Sequence, residues 1–202
     1  MVNERITTHL EENDRYPHTM FDFCQILSTQ DVLCQLKEDI LGPFEQTQQD
    51  IHSLALDVKG TFNNVSHEAK PIEDIGCGAK TYACMRVFLS NRTATVGITI
   101  LRSKTFHLPN SGTPQCSVVS PLLFNVALLK LPRLLDTVPG ICHDLYADDI
   151  TLWTRGASTG EQEDHLQEAF NIIERYLNTC GLHCAPDKSE LWARTPGRPP
   201  KP

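Results

Sequence analysis

Tyr146-Ala147-Asp148-Asp149 sets two adjacent carboxylates between apolar residues, with Leu145 before them and Ile150, Leu152 and Trp153 after. Neighbouring residues on an extended strand point to opposite faces, so the pair can share one task only where the strand turns sharply, as at a hairpin tip. Two carboxylates held a few ångströms apart raise each other's pKa unless a cation neutralises them, and oxygen donors of this kind suit Mg²⁺ or Mn²⁺. A further acid stands inside the apolar run Leu54-Ala55-Leu56-Asp57-Val58, which reads as a short buried strand. Burying an ionised carboxylate costs several kcal/mol unless it is paired or bound to metal, so Asp57 needs a partner. The Asp148-Asp149 turn is the natural candidate. On its own, an Asp-Asp pair is also what a solvated acidic turn looks like, so the rest of the chain has to decide.

The elements that must position these acids can be read from periodicity and punctuation. Residues 4–13 carry Ile6 and Leu10 at helical spacing, and Pro17 ends that segment. Ser28 with Asp31 three residues on predicts an N-cap with a reciprocal acid, followed by the stripe Val32, Leu33, Leu36 and Ile40 that stops near Gly42. After the Asp57 strand, residues 60–64 turn the chain, and Ser66 opens a short segment that meets Pro71. Tyr82, Met85, Phe88 and Leu89 form a stripe that reads as core. Alternation over 93–100, a bend over 101–104 and a return over 105–108 predict a β-hairpin. Ser120-Pro121 reads as N-cap and first helical residue of an apolar helix over 122–135. Ser158 with Glu161 predicts a capping box for a helix carrying Leu166, Ala169, Phe170, Ile173 and Leu177, stopped by Gly181. Strand, helix, hairpin, helix, acidic hairpin, helix and strand make an α+β domain, an antiparallel sheet with helices packed on one face.

Two further blocks, Gly112-Thr113-Pro114-Gln115-Cys116-Ser117-Val118-Val119-Ser120-Pro121 and Gly181-Leu182-His183-Cys184-Ala185-Pro186-Asp187-Lys188-Ser189-Glu190, complete the pattern. With the two acidic blocks, their order and spacing resemble the palm of a reverse transcriptase, specifically that of a non-LTR, LINE-like retrotransposon polyprotein, over residues 4–192. The resemblance implies a palm plus partial fingers: 1–44 and 66–111 as finger remnants, 45–65 and 112–194 as palm, and 195–202 as a disordered proline-rich tail. It implies two-metal nucleotidyl transfer with Mg²⁺ or Mn²⁺, in which Asp57 and Asp148 bridge two ions, the Val58 carbonyl completes one site, and Asp149 is a looser ligand or an electrostatic support. It sets Phe62 against the incoming sugar, Gln115 near the incoming nucleotide, Lys188 as a cation for the departing pyrophosphate, and Tyr146 and Cys116 at the template and primer. RNA template, DNA primer and deoxynucleoside triphosphates are the partners it implies. Four departures stand out. Cys116 replaces a glycine, Asn63 stands where an acid is common, residues 21–25 lack the usual Gly and Arg, and Lys70-Pro71 shortens a helix.

Composition limits what such a match means. The 202 residues suffice for one domain or two small subdomains, whereas a complete polymerase of this kind also carries an endonuclease region and a thumb, so a truncated fragment is expected. The formal net charge of -7 argues against easy binding to phosphate and for weak or absent activity of the fragment alone. Eight cysteines without a signal peptide point to reduced thiols inside the cell. His183 between Cys180 and Cys184 invites zinc, yet no second ligand pair stands at conventional spacing. No stretch is long and apolar enough to span a membrane, and nothing marks a protein partner. Two other classes stay open: a catalytically dead transposon remnant, and a non-catalytic RNA-binding module. A nucleotide-cyclase palm would share the paired acids but not the Pro-Gln block.

Overall fold

A computed structural model of the chain describes residues 2–22, 28–41, 51–67, 73–114, 117–154 and 158–194. Gln115, Cys116, Gly42, the Lys70-Pro71 step, residues 23–25 and the tail 195–202 lie outside the described residues. Among the described residues, no helix is long and apolar enough to cross a membrane.

At the centre lies β1, Ile51–Lys59, longer at both ends than the five-residue run, four apolar residues and Asp57, that announces it. Beside it lies β7, Asp149–Thr154, and beyond that β6, Ile141–Tyr146, giving the order β6-β7-β1. On its other edge β1 pairs first with β9, Glu190–Arg194, and then, towards Lys59, with the two-residue β8, His183–Cys184. All these pairings are antiparallel. Period-two alternation sends Leu56, Val58, Ile150, Leu152 and Leu145 to one face, where they form the main core. Asp57, Asp149, Thr151, Asp144 and Tyr146 therefore share the other face.

Three helices cover the apolar face: α5, Ser120–Leu128, α6, Leu131–Leu135, and α7, Thr159–Thr179. The capping box expected at Ser158 is present, with the Glu161 carboxylate accepting from the Ser158 backbone N–H at 3.0 Å and from its hydroxyl at 2.7 Å. Those bonds hold the Glu161 carboxyl below the ordinary value. Ser158→Ala is expected to lower stability by about 1 kcal/mol in thermal unfolding, the usual effect of losing such a cap.

The segment 122–135 differs from the single helix its apolar run predicts. It breaks at Leu129–Lys130 and restarts at Leu131 with Pro132, which has no N–H to continue the ladder and is tolerated only in a first turn. Ser120 does not cap. It lies inside α5, and its hydroxyl donates to the Pro114 carbonyl at 2.7 Å.

Helix α5 is apolar all round because it has two cores to serve. Phe124, Ala127 and Leu128 join the sheet core, while Leu122, Leu123 and Val126 pack with Ile6 and Leu10 of α1, Val2–Glu12, and with Met85 and Leu89 of α4, Ala79–Leu89. Its one polar residue between them, Asn125, donates to the Asp22 carbonyl at 2.8 Å and meets the Tyr16 hydroxyl. Helix α2, Thr29–Leu36, opens on the expected Ser28–Asp31 box and continues as a π-helical turn, Lys37–Leu41. Leu33, read as part of its apolar stripe, is 65% exposed.

The expected hairpin forms, but as two short ladders. Thr93–Ala94 (β2) pairs with Phe106–His107 (β5), and Gly97–Ile98 (β3) pairs with Leu101–Arg102 (β4). Its bend therefore falls at Thr99–Ile100, where Thr99 takes a φ of 51°, and not over 101–104. At the base of the hairpin Arg92 donates to the Ser111 and Gly112 carbonyls, both at 2.8 Å. Gly112 is needed there: its φ is +74°, and a Cβ would lie 2.5 Å from the Asn63 carbonyl oxygen.

Candidate active site

The β6–β7 hairpin closes in two residues, because Tyr146 and Asp149 are the last paired positions. Ala147, the first of the two, has a φ of 52°, a left-handed backbone that a residue with a Cβ adopts at about 1 kcal/mol or more. The tight turn resolves the problem of adjacent acids, since Asp148 sits in the turn while Asp149 stays in the ladder. Asp149 is the cross-strand partner of Asp57, and the Val58 N–H donates to the Asp148 carbonyl at 2.9 Å. The three acids thus meet at one end of the β1–β7 ladder.

From the other side, the Ala185 N–H donates to the Asp57 carbonyl at 2.8 Å. The 3₁₀ turn Pro186–Lys188 that follows brings Lys188 Nζ to 3.1 and 3.3 Å from the two Asp57 carboxylate oxygens. Asp57, only 18% exposed, obtains the partner its burial demands from this lysine. The hydrogen bond and charge of Asp57, with smaller contributions from Asp148 and Asp187, raise Lys188 above the ordinary lysine value. Partial burial and then the charges of Asp148 and Asp57 push the Asp149 carboxyl up, against the opposing pull of Lys188. That corner of the sheet is short of positive charge even with Lys188 in place.

Residues 1–198 match the family model described as reverse transcriptase (RNA-dependent DNA polymerase). The chain belongs to the reverse transcriptase family. A probable RNA-directed DNA polymerase from transposon BS of Drosophila melanogaster is 24% identical over 203 residues, which cover 94% of this chain and 21% of that protein. Apo telomerase from Candida tropicalis truncated from its C-terminal domain superposes with a TM-score of 0.72 at 13% identity, over 98% of this chain and 40% of the telomerase chain. Telomerase from the same species in complex with a TWJ fragment of telomeric RNA gives a TM-score of 0.75 at 11% identity, over 97% and 34%. At such identities the likeness is one of fold, and it confirms the α+β palm architecture. This reverse transcriptase chain spans about one fifth of its curated relative.

Reverse transcriptase domains use divalent metal ions. The donor set here fits such an ion: three carboxylates, all oxygen, crowd one another enough to raise the Asp149 carboxyl, and an ammonium already sits on Asp57. Among the described residues no three His, Cys, Asp or Glu side chains are grouped around one ion position.

Of the remaining expected site residues, Tyr146 ends β6 opposite Asp149, half-buried. Phe62 lies in the one-turn helix α3, Thr61–Asn64, partly buried against the main core with its ring centroid 6.1 Å from that of Phe124. Gln115 and Cys116 fall outside the described residues.

One residue of this face escaped the sequence reading. Asp144 is 2% exposed. Its Oδ1 accepts from Gln35 Nε2 at 3.2 Å, and its Oδ2 has no hydrogen-bond partner among the described residues. Burial, with a smaller push from the Asp39 charge, raises its carboxyl to about 7. The signal was available: an acid two residues before Tyr146 in an apolar strand must share the face of Tyr146 and Asp149.

Proposed function

We propose that this chain is the palm, with part of the fingers, of an RNA-directed DNA polymerase from a non-LTR, LINE-like retrotransposon, and that Asp57, Asp148 and Asp149 are its ion ligands. The observation that carries this reading is the cross-strand meeting of Asp57 with Asp149 beside the Asp148 turn. Residues 1–44 and 66–111 serve as fingers in it, and 45–65 with 112–194 as palm. RNA template, DNA primer and deoxynucleoside triphosphates are the substrates. Two Mg²⁺ or Mn²⁺ ions, when bound, supply the acidity for a primer 3′-hydroxyl and neutralise the triphosphate and its leaving pyrophosphate.

The side chains have separable tasks. Asp57 and Asp148 would be the main ligands of the ions and the Val58 carbonyl a further donor, while Asp149, whose carboxyl is raised, would be a looser ligand or an electrostatic support. Lys188 holds Asp57 in the metal-free chain and, once released, offers its proton to the departing pyrophosphate. Phe62, buttressed by Phe124, walls off the position of a ribose 2′-hydroxyl and so favours deoxynucleotides. Gln115 attends the incoming nucleotide, and Tyr146 and Cys116 the template and primer.

Primer extension on an RNA template with deoxynucleotides tests the reading directly. Weak incorporation with Mg²⁺ or Mn²⁺ is expected of the chain alone, and its absence with both ions would overturn the polymerase reading in favour of a catalytically dead remnant or a non-catalytic RNA-binding module. Lys188→Gln is expected to split two readouts. Mn²⁺ affinity in calorimetry should rise several-fold, because no ammonium competes for Asp57, whereas extension should fall about a hundredfold for loss of the proton donor. A parallel fall in both would remove the role given to Lys188.

A further inference from the structure

The net charge of -7 conceals a segregation. Residues 75–135 hold seven of the chain's eighteen Lys and Arg and none of its twenty-five Asp and Glu. Acids bound the stretch at Glu73, Asp74 and Asp136, and Asp74 pairs with Lys130, but none stands on the hairpin itself, so the expectation of poor phosphate binding drawn from net charge does not apply there. Out of it stands the hairpin β2–β5. Every residue from 95 to 110 is exposed, including Ile98 at 71%, Ile100 at 95% and Leu101 at 72%. Ile98 pairs with Leu101 and Gly97 with Arg102, so the tip has an aliphatic face and Arg102 lies on the opposite one. Lys104 Nζ stands 5.6 Å over the Phe106 ring, two residues further along the same arm.

Aliphatic side chains gathered at the end of a projecting arm gain nothing from the chain's own cores and call for cover from outside. Cations beside them, with no acid in the surrounding stretch, specify an anionic partner. Nucleic acid meets both demands, because its phosphates take Arg and Lys while apolar residues such as Ile and Leu wedge between its base steps and unstack them. We propose that the hairpin is a base-unstacking RNA arm: Arg102 and Lys104 hold phosphates, and the Ile98–Leu101 tip enters between stacked bases. The choice of RNA over an acidic protein rests on the polymerase reading above; the charge and exposure do not.

The probe is an RNA stem-loop with aminopurine in its stem, titrated in chelator so that the acidic site takes no part. The unaltered chain is expected to bind and to raise the aminopurine fluorescence. Arg102→Glu with Lys104→Glu should weaken binding about tenfold or more and flatten the dependence of log affinity on log salt by between one and two. Ile98→Ser with Ile100→Ser should keep affinity within about threefold and abolish the fluorescence rise. All four positions are exposed, and circular dichroism checks that the variants fold. Equal binding by the charge-reversed chain, or a full fluorescence rise from the tip variant, would overturn the arm. So would failure of the unaltered chain to bind RNA, including the case in which the tip drives self-association or takes an acidic protein. Primer extension in parallel separates the two proposals. Extension together with charge-insensitive binding removes the arm alone, and charge-sensitive binding without extension removes the polymerase alone.

Discussion

Asp148→Asn is expected to reduce RNA-templated primer extension by about a thousandfold or more while leaving the fold intact. Several kcal/mol of charge stabilisation at a reacting phosphate come from ions that carboxylates hold, and each 1.36 kcal/mol is about a factor of ten in rate. The structural part of Asp148 is its backbone carbonyl, which accepts from Val58 and survives the substitution. Its side chain contributes repulsion instead, helping to raise the Asp149 carboxyl. Without metal, therefore, Asp148→Asn should unfold no earlier than the unaltered chain, and divalent ions should protect it less against heat. Extension at the original rate would show that the ion site lies elsewhere. Asp149→Asn makes the contrast, with a smaller loss of about ten- to a hundredfold expected of an electrostatic support.

Asp144→Asn is expected to raise the melting temperature at pH 8 by roughly 4–12 °C, which is about 2–3 kcal/mol for a chain of this size. Burial pushes the carboxyl from its ordinary value of 3.8 up to about 7 in the folded chain. Below about pH 4 both states hold the proton and nothing is lost. As pH rises from about 4 to 7 the unfolded chain ionises first, so stability falls across that window and levels off above it. Asparagine keeps an acceptor for Gln35 and stays neutral throughout, so the variant's curve should be flat where the parent's declines, and the two should nearly coincide near pH 4. A parent curve without that decline, or a variant that gains equally at every pH, would show that Asp144 is not strained by its charge.

Local pattern was enough for much of this architecture. Both capping boxes sit where a hydroxyl and an acid three residues apart placed them, and the stripes of α1, α4 and α7 face the cores their spacing demands. What local pattern lacked was pairing. The cost of burying Asp57 pointed to the Asp148-Asp149 turn, which does stand opposite it, but nothing near Asp57 announces that Lys188, far along the chain, will reach its carboxylate. The break after Leu128 was hidden for a different reason, because an unbroken apolar run looks the same whether it serves one core or two. Asp144 stands inside the strand, away from the adjacent pair at the turn, and only its face in the sheet links it to them. The basic stretch was missed because a single total erased its contrast with the rest.

Helix α5 carries one more implication. With Phe124 and Leu128 in one cluster and Leu122 and Val126 in the other, it is a shared wall, and neither compartment keeps a closed interior once that wall is gone. The two cores are thus rooms of one building: loosening the packing around Ile6 or Met85 is expected to reach, through this helix, the floor beneath Asp57.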